Sequence, residues 1–169
     1  MTAYDPARWS EFALGQLGAS AALLGLVFVG LSINLRELIR SRPLVNRGAE
    51  TVVALGSVLV AATVVLIPHQ TRALLGAELL AVAACTFGVV AALQRRAAAD
   101  TPAAGGAAPR GSLAFRRALG LGAPLVLAVA GATLLAHGGG GLYWWPASVV
   151  ALFVAALTNA WVLLVEILR

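Results

Sequence analysis

Hydrophobic positions in this chain come in unbroken runs, not in alternation. Five stretches are almost free of charge, at about residues 11–35, 49–67, 73–93, 113–136 and 145–168. A helix rises about 1.5 Å per residue, so roughly 20 apolar residues cross a hydrocarbon core of about 30 Å. The breaks between the runs carry turn chemistry. Arg36–Arg47 reads RELIRSRPLVNR, where Pro43 is expected to stop any continuation of the first helix. Pro68-His69-Gln70 forms a compact turn, and Gly138–Gly141 cannot hold a helix at a membrane surface. A low-complexity Ala/Gly/Pro stretch at about 97–112 reads as a flexible linker. Trp145-Pro146 starts the last helix, and Pro124 inside the fourth should kink it. The predicted fold is all-α, a single transmembrane domain over 1–169 built as an integral membrane bundle of five transmembrane helices.

Composition removes the soluble alternative. Hydrophobic residues make up 60% of the chain and charged residues 11%, with mean hydropathy +0.91. A soluble domain carries about a quarter charged residues. All twelve basic residues are arginine, and with the Ala, Gly, Val and Leu content this points to a GC-rich bacterial genome. A net charge of +5 would suit nucleic acid, but the arginines occupy the gaps between apolar runs. They read as topology determinants and anionic-lipid contacts, so no nucleic-acid partner is expected.

Their distribution tests the span count. Ten arginines (36, 40, 42, 47, 95, 96, 110, 116, 117 and 169) fall on one side and only Arg8 and Arg72 on the other. The positive-inside rule then places the N-terminus outside and the C-terminus in the cytoplasm, in the inner (plasma) membrane of a bacterium. Tyr4, Trp9, Phe12, Tyr143, Trp144 and Trp145 gather at the expected outer interface. MTAYDPARWSEF has no signal-peptide pattern, so the first helix is expected to stay as a span.

That helix has two distinct sides. At about 100° per residue, Gly15, Gly18, Ala22, Gly25, Val29 and Ser32 share one sector, a small-residue stripe suited to close helix packing. Gln16, Ser20 and Asn34 lie opposite, with Leu23 and Val27 between them. Both sides are expected to be contacted, making this the central helix of the bundle.

A carboxylate or amide within hydrocarbon requires a partner. Glu78 is expected near Gln16, Ser20, Thr63 and Thr133, or else reaching the headgroups or Arg72. Nearer the cytoplasm, Asn159 and Glu166 share a face of span five, within range of Asn34, Ser57 and Glu50. Pairing with Arg47, Arg116 or Arg169 is expected for Glu50 and Glu166, and a hydrogen bond to span one or two for Asn159. Glu78, Gln16, Ser20, Asn34 and Asn159 therefore form the candidate intramembrane polar site, and Gly15, Gly18, Ala22 and Gly25 the helix-packing set. Cys85 is alone, which leaves no disulfide framework, and it reads as a small buried hydrophobe. There is no H-E-x-x-H, no G-x-S-x-G and no pair of aspartates within the spans. His69 and His137 read as turn residues. Neither catalysis, a metal nor a cofactor is expected.

GASAALLGLVFVGLSINL (Gly18–Leu35), RGAETVVALGSVLVAATVVLIPHQ (Arg47–Gln70), LGAELL (Leu75–Leu80) and NAWVLLVEILR (Asn159–Arg169) carry a resemblance. They resemble a group of small multi-pass membrane proteins of high-GC bacteria that are often labelled modulators of the FtsH protease. The resemblance implies a membrane-anchored protease as partner and assigns no residue to that contact. SAALLG (Ser20–Gly25) is also similar to the pore helix of Orai calcium channels, but the pore glutamate of that family would fall at Asn34. Two functions are therefore expected in order. The first is a structural or regulatory membrane protein working through helix contacts in the lipid bilayer, with a membrane protease or further copies of itself. The second is a small oligomeric cation or proton channel or transporter bordered by Glu78, Gln16 and Asn34.

Overall fold

The computed structural model describes residues 2–99 and 110–167, and among them the chain is helical with no strand. Short 3-10 turns at Thr2–Tyr4 and Pro6–Trp9 lead into α1 (Ser10–Ile33), α2 (Leu35–Arg40) and α3 (Arg42–Val65). Then follow α4 (Arg72–Ala99), α5 (Arg110–Ala136), a 3-10 turn at Gly141–Tyr143 and α6 (Trp144–Ile167). Five of these helices are long and apolar enough to cross a membrane, which makes this a multi-pass membrane protein by architecture. Most of the expected linker, residues 100–109, lies outside the described residues. Its flanks at 97–99 and 110–112 belong to α4 and α5.

Pro43 does the opposite of what its sequence position suggested. The segment Arg36–Arg47 is helical except at Ser41, and Pro43 sits in the first turn of α3. A first-turn N–H has no partner one turn back, so a proline there loses no hydrogen bond. Asn34 Nδ2 donates to the Gly30 carbonyl at 3.0 Å, closing the end of α1.

α3, α4, α5 and α6 form a four-helix bundle in which each packs on its two neighbours. α1 lies outside this ring, chiefly against α3. This corrects the expectation of a central first helix: only 11% of the most apolar stretch of α1 is buried, against 56% for α3. The reason lies in its side chains. Ala13 and Ser20 are buried, and Leu17, Leu24, Val27 and Leu31 are half-buried. Spaced three and four apart, they form a single stripe with the bulk to pack on α3. The stripe of Gly15, Gly18, Ala22, Gly25, Val29 and Ser32 is on the opposite side, and every member is exposed. In lipid this exposure costs nothing, because acyl chains are as apolar as a neighbouring leucine.

Glycine does bring two helices together, at a different place. Gly76 of α4 and Gly131 of α5 meet backbone to backbone: a Cβ built on Gly76 would lie 2.8 Å from the Gly131 carbonyl oxygen, and one on Gly131 would lie 2.7 Å from that of Gly76. Leu75, Leu79, Leu127 and Leu134 are buried around this crossing. α5 runs on through Pro124, and Ser148 of α6 donates to the Ala123 carbonyl at 2.9 Å.

At one end of the bundle the aromatic residues pack into a plug. Trp9, Phe12, Tyr143 and Trp145 have ring centroids 5.0–6.4 Å apart, mostly edge to face. The glycine run holds the N-terminal segment to this plug. Gly141 has φ +55 and leaves no room for a Cβ beside the Ala3 carbonyl and the Tyr4 ring, while the Gly140 N–H donates to the Tyr4 hydroxyl at 3.3 Å.

Candidate functional site

The polar side chains in the helices fall into two groups at opposite ends of the bundle. The better defined is centred on Glu50, which lies about two turns into α3 and is 3% exposed. Arg116 is about as deep in α5, and Asn159 about as far from the end of α6. Antiparallel helices bring all three to one level near the arginine-rich end. Arg116 Nε donates to Glu50 Oε2 at 3.1 Å and Nη2 to Oε1 at 2.5 Å, a two-pronged pair with the guanidinium also largely covered. Asn159 Nδ2 adds a longer contact to Oε2 at 3.4 Å. One carboxylate thus ties together α3, α5 and α6. Of the arginines expected opposite it, Arg116 is the partner. The side chain of Glu166 and all of Arg169 lie outside the described residues.

Glu78, in the second group, is half-buried on α4 and accepts a hydrogen bond from Gln70 Nε2 in the α3–α4 turn, so Gln70 takes the place expected of Arg72. Gln70 Oε1 is buried without a partner, and the residue also lines an open hollow of about 320 Å³ with Asp5, Ser10 and His69.

The remaining candidates are held locally. Ser20 is fully buried, but its hydroxyl bonds to its own helix, at the carbonyls of Gln16 (2.6 Å) and Leu17 (3.1 Å). Thr63 and Thr133 likewise turn back to Leu59 and Val129, not toward Glu78. Gln16 Oε1 is buried without a partner. Asn34 caps α1 at the arginine-rich end. The five residues of the candidate polar site therefore do not converge: Asn159 joins Glu50 and Arg116, Glu78 joins Gln70, and Gln16, Ser20 and Asn34 stay on α1. The packing set of Gly15, Gly18, Ala22 and Gly25 has no neighbour within the bundle; a Cβ on any of the three glycines would meet nothing within 4 Å.

Comparison with protein-family models, with curated proteins and with solved structures returns no match. The chemistry must be read from the chain itself.

Some features were not foreseen. Gln94 is 8% exposed with both amide atoms unpartnered, pressed against Gly120 of α5. Cys85 is exposed on the outside of α4, not buried, because α4 packs through Leu75, Leu79, Ala83 and Val90 on its other side. Among the described residues, no three His, Cys, Asp or Glu side chains come together as a metal site. His69 and His137 are exposed turn residues, both at φ +56. Among the described residues Glu50 is the one buried carboxylate, and it is engaged by donors at both oxygens, an arrangement suited to fastening helices.

Proposed function

We propose that this protein is a structural or regulatory component of a membrane that acts through contacts between transmembrane helices, without a catalytic step of its own. One observation carries the reading. α1 stands outside the four-helix bundle and presents Gly15, Gly18, Ala22 and Gly25 in line on its free side. Such a strip lets a second backbone approach closely, which is how helices associate where no hydrophobic effect separates helix from lipid. The Glu50–Arg116–Asn159 tie and the Gly76–Gly131 crossing supply a rigid body on which α1 is displayed. The resemblance of Gly18–Leu35 and Arg47–Gln70 to the family labelled FtsH modulators makes a membrane-bound protease the first partner to test.

The test is crosslinking in native membranes from cysteine placed at Ala22, in a Cys85→Ser background, followed by identification of what is attached. A membrane protease, or another membrane protein that is lost with Gly18→Ile, supports the reading. Crosslinks only between copies of this chain would make α1 a dimer contact. No attached protein, with Gly18→Ile behaving as the parent does, would sink it. The alternative of a small cation or proton channel has less behind it, because its polar groups sit at two ends and are mostly held by neighbours. Cation or proton flux in liposomes that falls with Glu78→Gln would revive it.

A further inference from the structure

Gln94 and Pro124 set two unmet groups side by side. Gln94 is 8% exposed on the face of α4 that packs on α5, and neither its amide nitrogen nor its amide oxygen has a hydrogen-bond partner. An amide buried in that state is costly. Pro124 has no N–H, so the Gly120 carbonyl, one turn back on α5, loses the donor a regular helix would give it. The two meet at Gly120. A Cβ there would stand 2.5 Å from Gln94 Nε2 and 3.3 Å from Val90 Cγ1, so the missing side chain is what lets the amide lie against this backbone. The last torsion of a glutamine side chain is soft, and turning the amide onto the carbonyl costs little.

The same stretch is where α5 can bend. Gly120 and Gly122 weaken the helix, and Pro124 removes a bond and crowds the carbonyl before it. Both sides of the stretch are anchored. Beyond it Gly131 is pressed on Gly76, and at Ala123 the carbonyl is already held by Ser148 of α6 at 2.9 Å. One turn before Gly120, Arg116 is fastened to Glu50 of α3. Toward α4, the seam at this level runs through Val90 and Gln94 against Gly120. A hydroxyl from α6 thus serves one carbonyl of the stretch, and an amide from α4 stands beside the other.

We propose that Gly120–Pro124 is a hinge in α5 and that Gln94 is its latch. With Nε2 donating to the Gly120 carbonyl, the seam between α4 and α5 is shut. In this structure the amide has reached the seam without bonding, the unlatched form. From there the arginine-rich end of α5 leans away from α4, pivoting on the Glu50–Arg116 pair. Latching shifts the balance toward the shut seam about fivefold, the net effect of one hydrogen bond. The device requires nothing of α1 and stands apart from the docking role of that helix.

Two measurements on the full-length chain in detergent test it. Backbone hydrogen exchange over residues 114–123 should run about fivefold faster in Gln94→Met, which keeps the volume and drops the amide, with residues 125–136 unchanged. Pro124→Ala returns an N–H to the Gly120 carbonyl, and in that background Gln94→Met should no longer speed exchange. Spin labels at Arg95→Cys and Arg117→Cys, both exposed, in a Cys85→Ser background should report two separations across the seam. The longer should gain in Gln94→Met and vanish in Pro124→Ala. Because the labelled chain keeps Gln94 and Pro124, this arm stands even where a variant folds poorly. Slower or unchanged exchange in Gln94→Met would overturn the latch, as would an equal effect with and without Pro124. Faster exchange on both sides of Pro124 would mean a general loss of packing and overturn the hinge. A single separation in every labelled chain would overturn the opening of the seam.

Discussion

The crossing of α4 and α5 offers a sharp test of where glycine matters. In Gly131→Ala the new methyl would stand 2.7 Å from the Gly76 carbonyl oxygen, 2.8 Å from Leu80 Cγ and 3.0 Å from Leu80 N. Two of these three atoms are backbone, so a side-chain rotation cannot clear the overlap. Relief requires the helices to separate by about 0.5–1 Å, enough to forfeit a quarter to a half of each dispersion contact across the gap. Leu75, Leu79, Leu127 and Leu134 are fully buried at this crossing and would lose part of their packing together. Overpacking of this kind costs about 1–3 kcal/mol, offset by less than 1 kcal/mol from the better helix propensity of alanine. A net loss of about 1–2 kcal/mol is expected, and more for Gly131→Val. Gly18→Ala is the control: no atom lies within 4 Å, so it should be neutral or slightly stabilising. The assay is denaturant- or heat-driven unfolding in detergent, followed by the fluorescence of fully buried Trp145. Equal stability of Gly131→Ala and Gly18→Ala would refute the claim that this crossing is glycine-dependent.

Three further outcomes are expected. Glu50→Gln or Arg116→Gln should each cost about 3–5 kcal/mol in the same unfolding assay, while Glu50→Leu with Arg116→Leu recovers much of the loss, since a lone buried charge is worse than none. A topology reporter fused at Gly139 should read the outer side of the membrane and one at Arg40 the cytoplasm; the reverse would overturn the orientation taken from the arginines. In intact membranes Cys85 should resist both a permeant and a charged maleimide and react only once the chain is unfolded in detergent, because a thiol on a lipid-facing surface stays protonated and only the thiolate adds to the reagent; ready labelling of intact membranes by the charged maleimide would refute the lipid-facing placement.

What was legible in the sequence follows from what a bilayer penalises. Charges within the apolar runs are costly, so the runs and their arginine-rich gaps mark five long apolar helices, although α3 starts at Arg42 and α4 continues to Ala99, beyond the apolar runs themselves. Glu50 and Arg116 stand near the same end of their helices for the same reason; depth narrows the partner of Glu50 to Arg47, Arg116 or Arg169, and only the packing of α5 beside α3 selects Arg116. The side of α1 that packs was not legible. Its glycine stripe and its leucine stripe are both apolar, and lipid discriminates between them far less than water would. Only the neighbouring helix decides, and α3 takes the side with bulk. Gly76 and Gly131 do not stand out, because α4 and α5 are rich in small residues and nothing local marks which pair meets. Pro43 reads as a stop in the sequence because proline ends a helix from within and starts one from its first turn, and position alone does not distinguish the two.

The self-contained hydroxyls bear on how such a molecule comes into being. Ser20, Ser32, Thr63, Thr86, Thr133 and Thr158 each bond to a carbonyl one turn back on their own helix. Those hydroxyls need no partner from another helix when their span enters the bilayer. Glu50, Arg116 and Asn159 have no such local remedy, and they sit where water at the membrane surface can still reach an unassembled helix. The hydroxyls therefore place no demand on assembly, whereas the Glu50 carboxylate meets its donors only where α5 and α6 are closed onto α3.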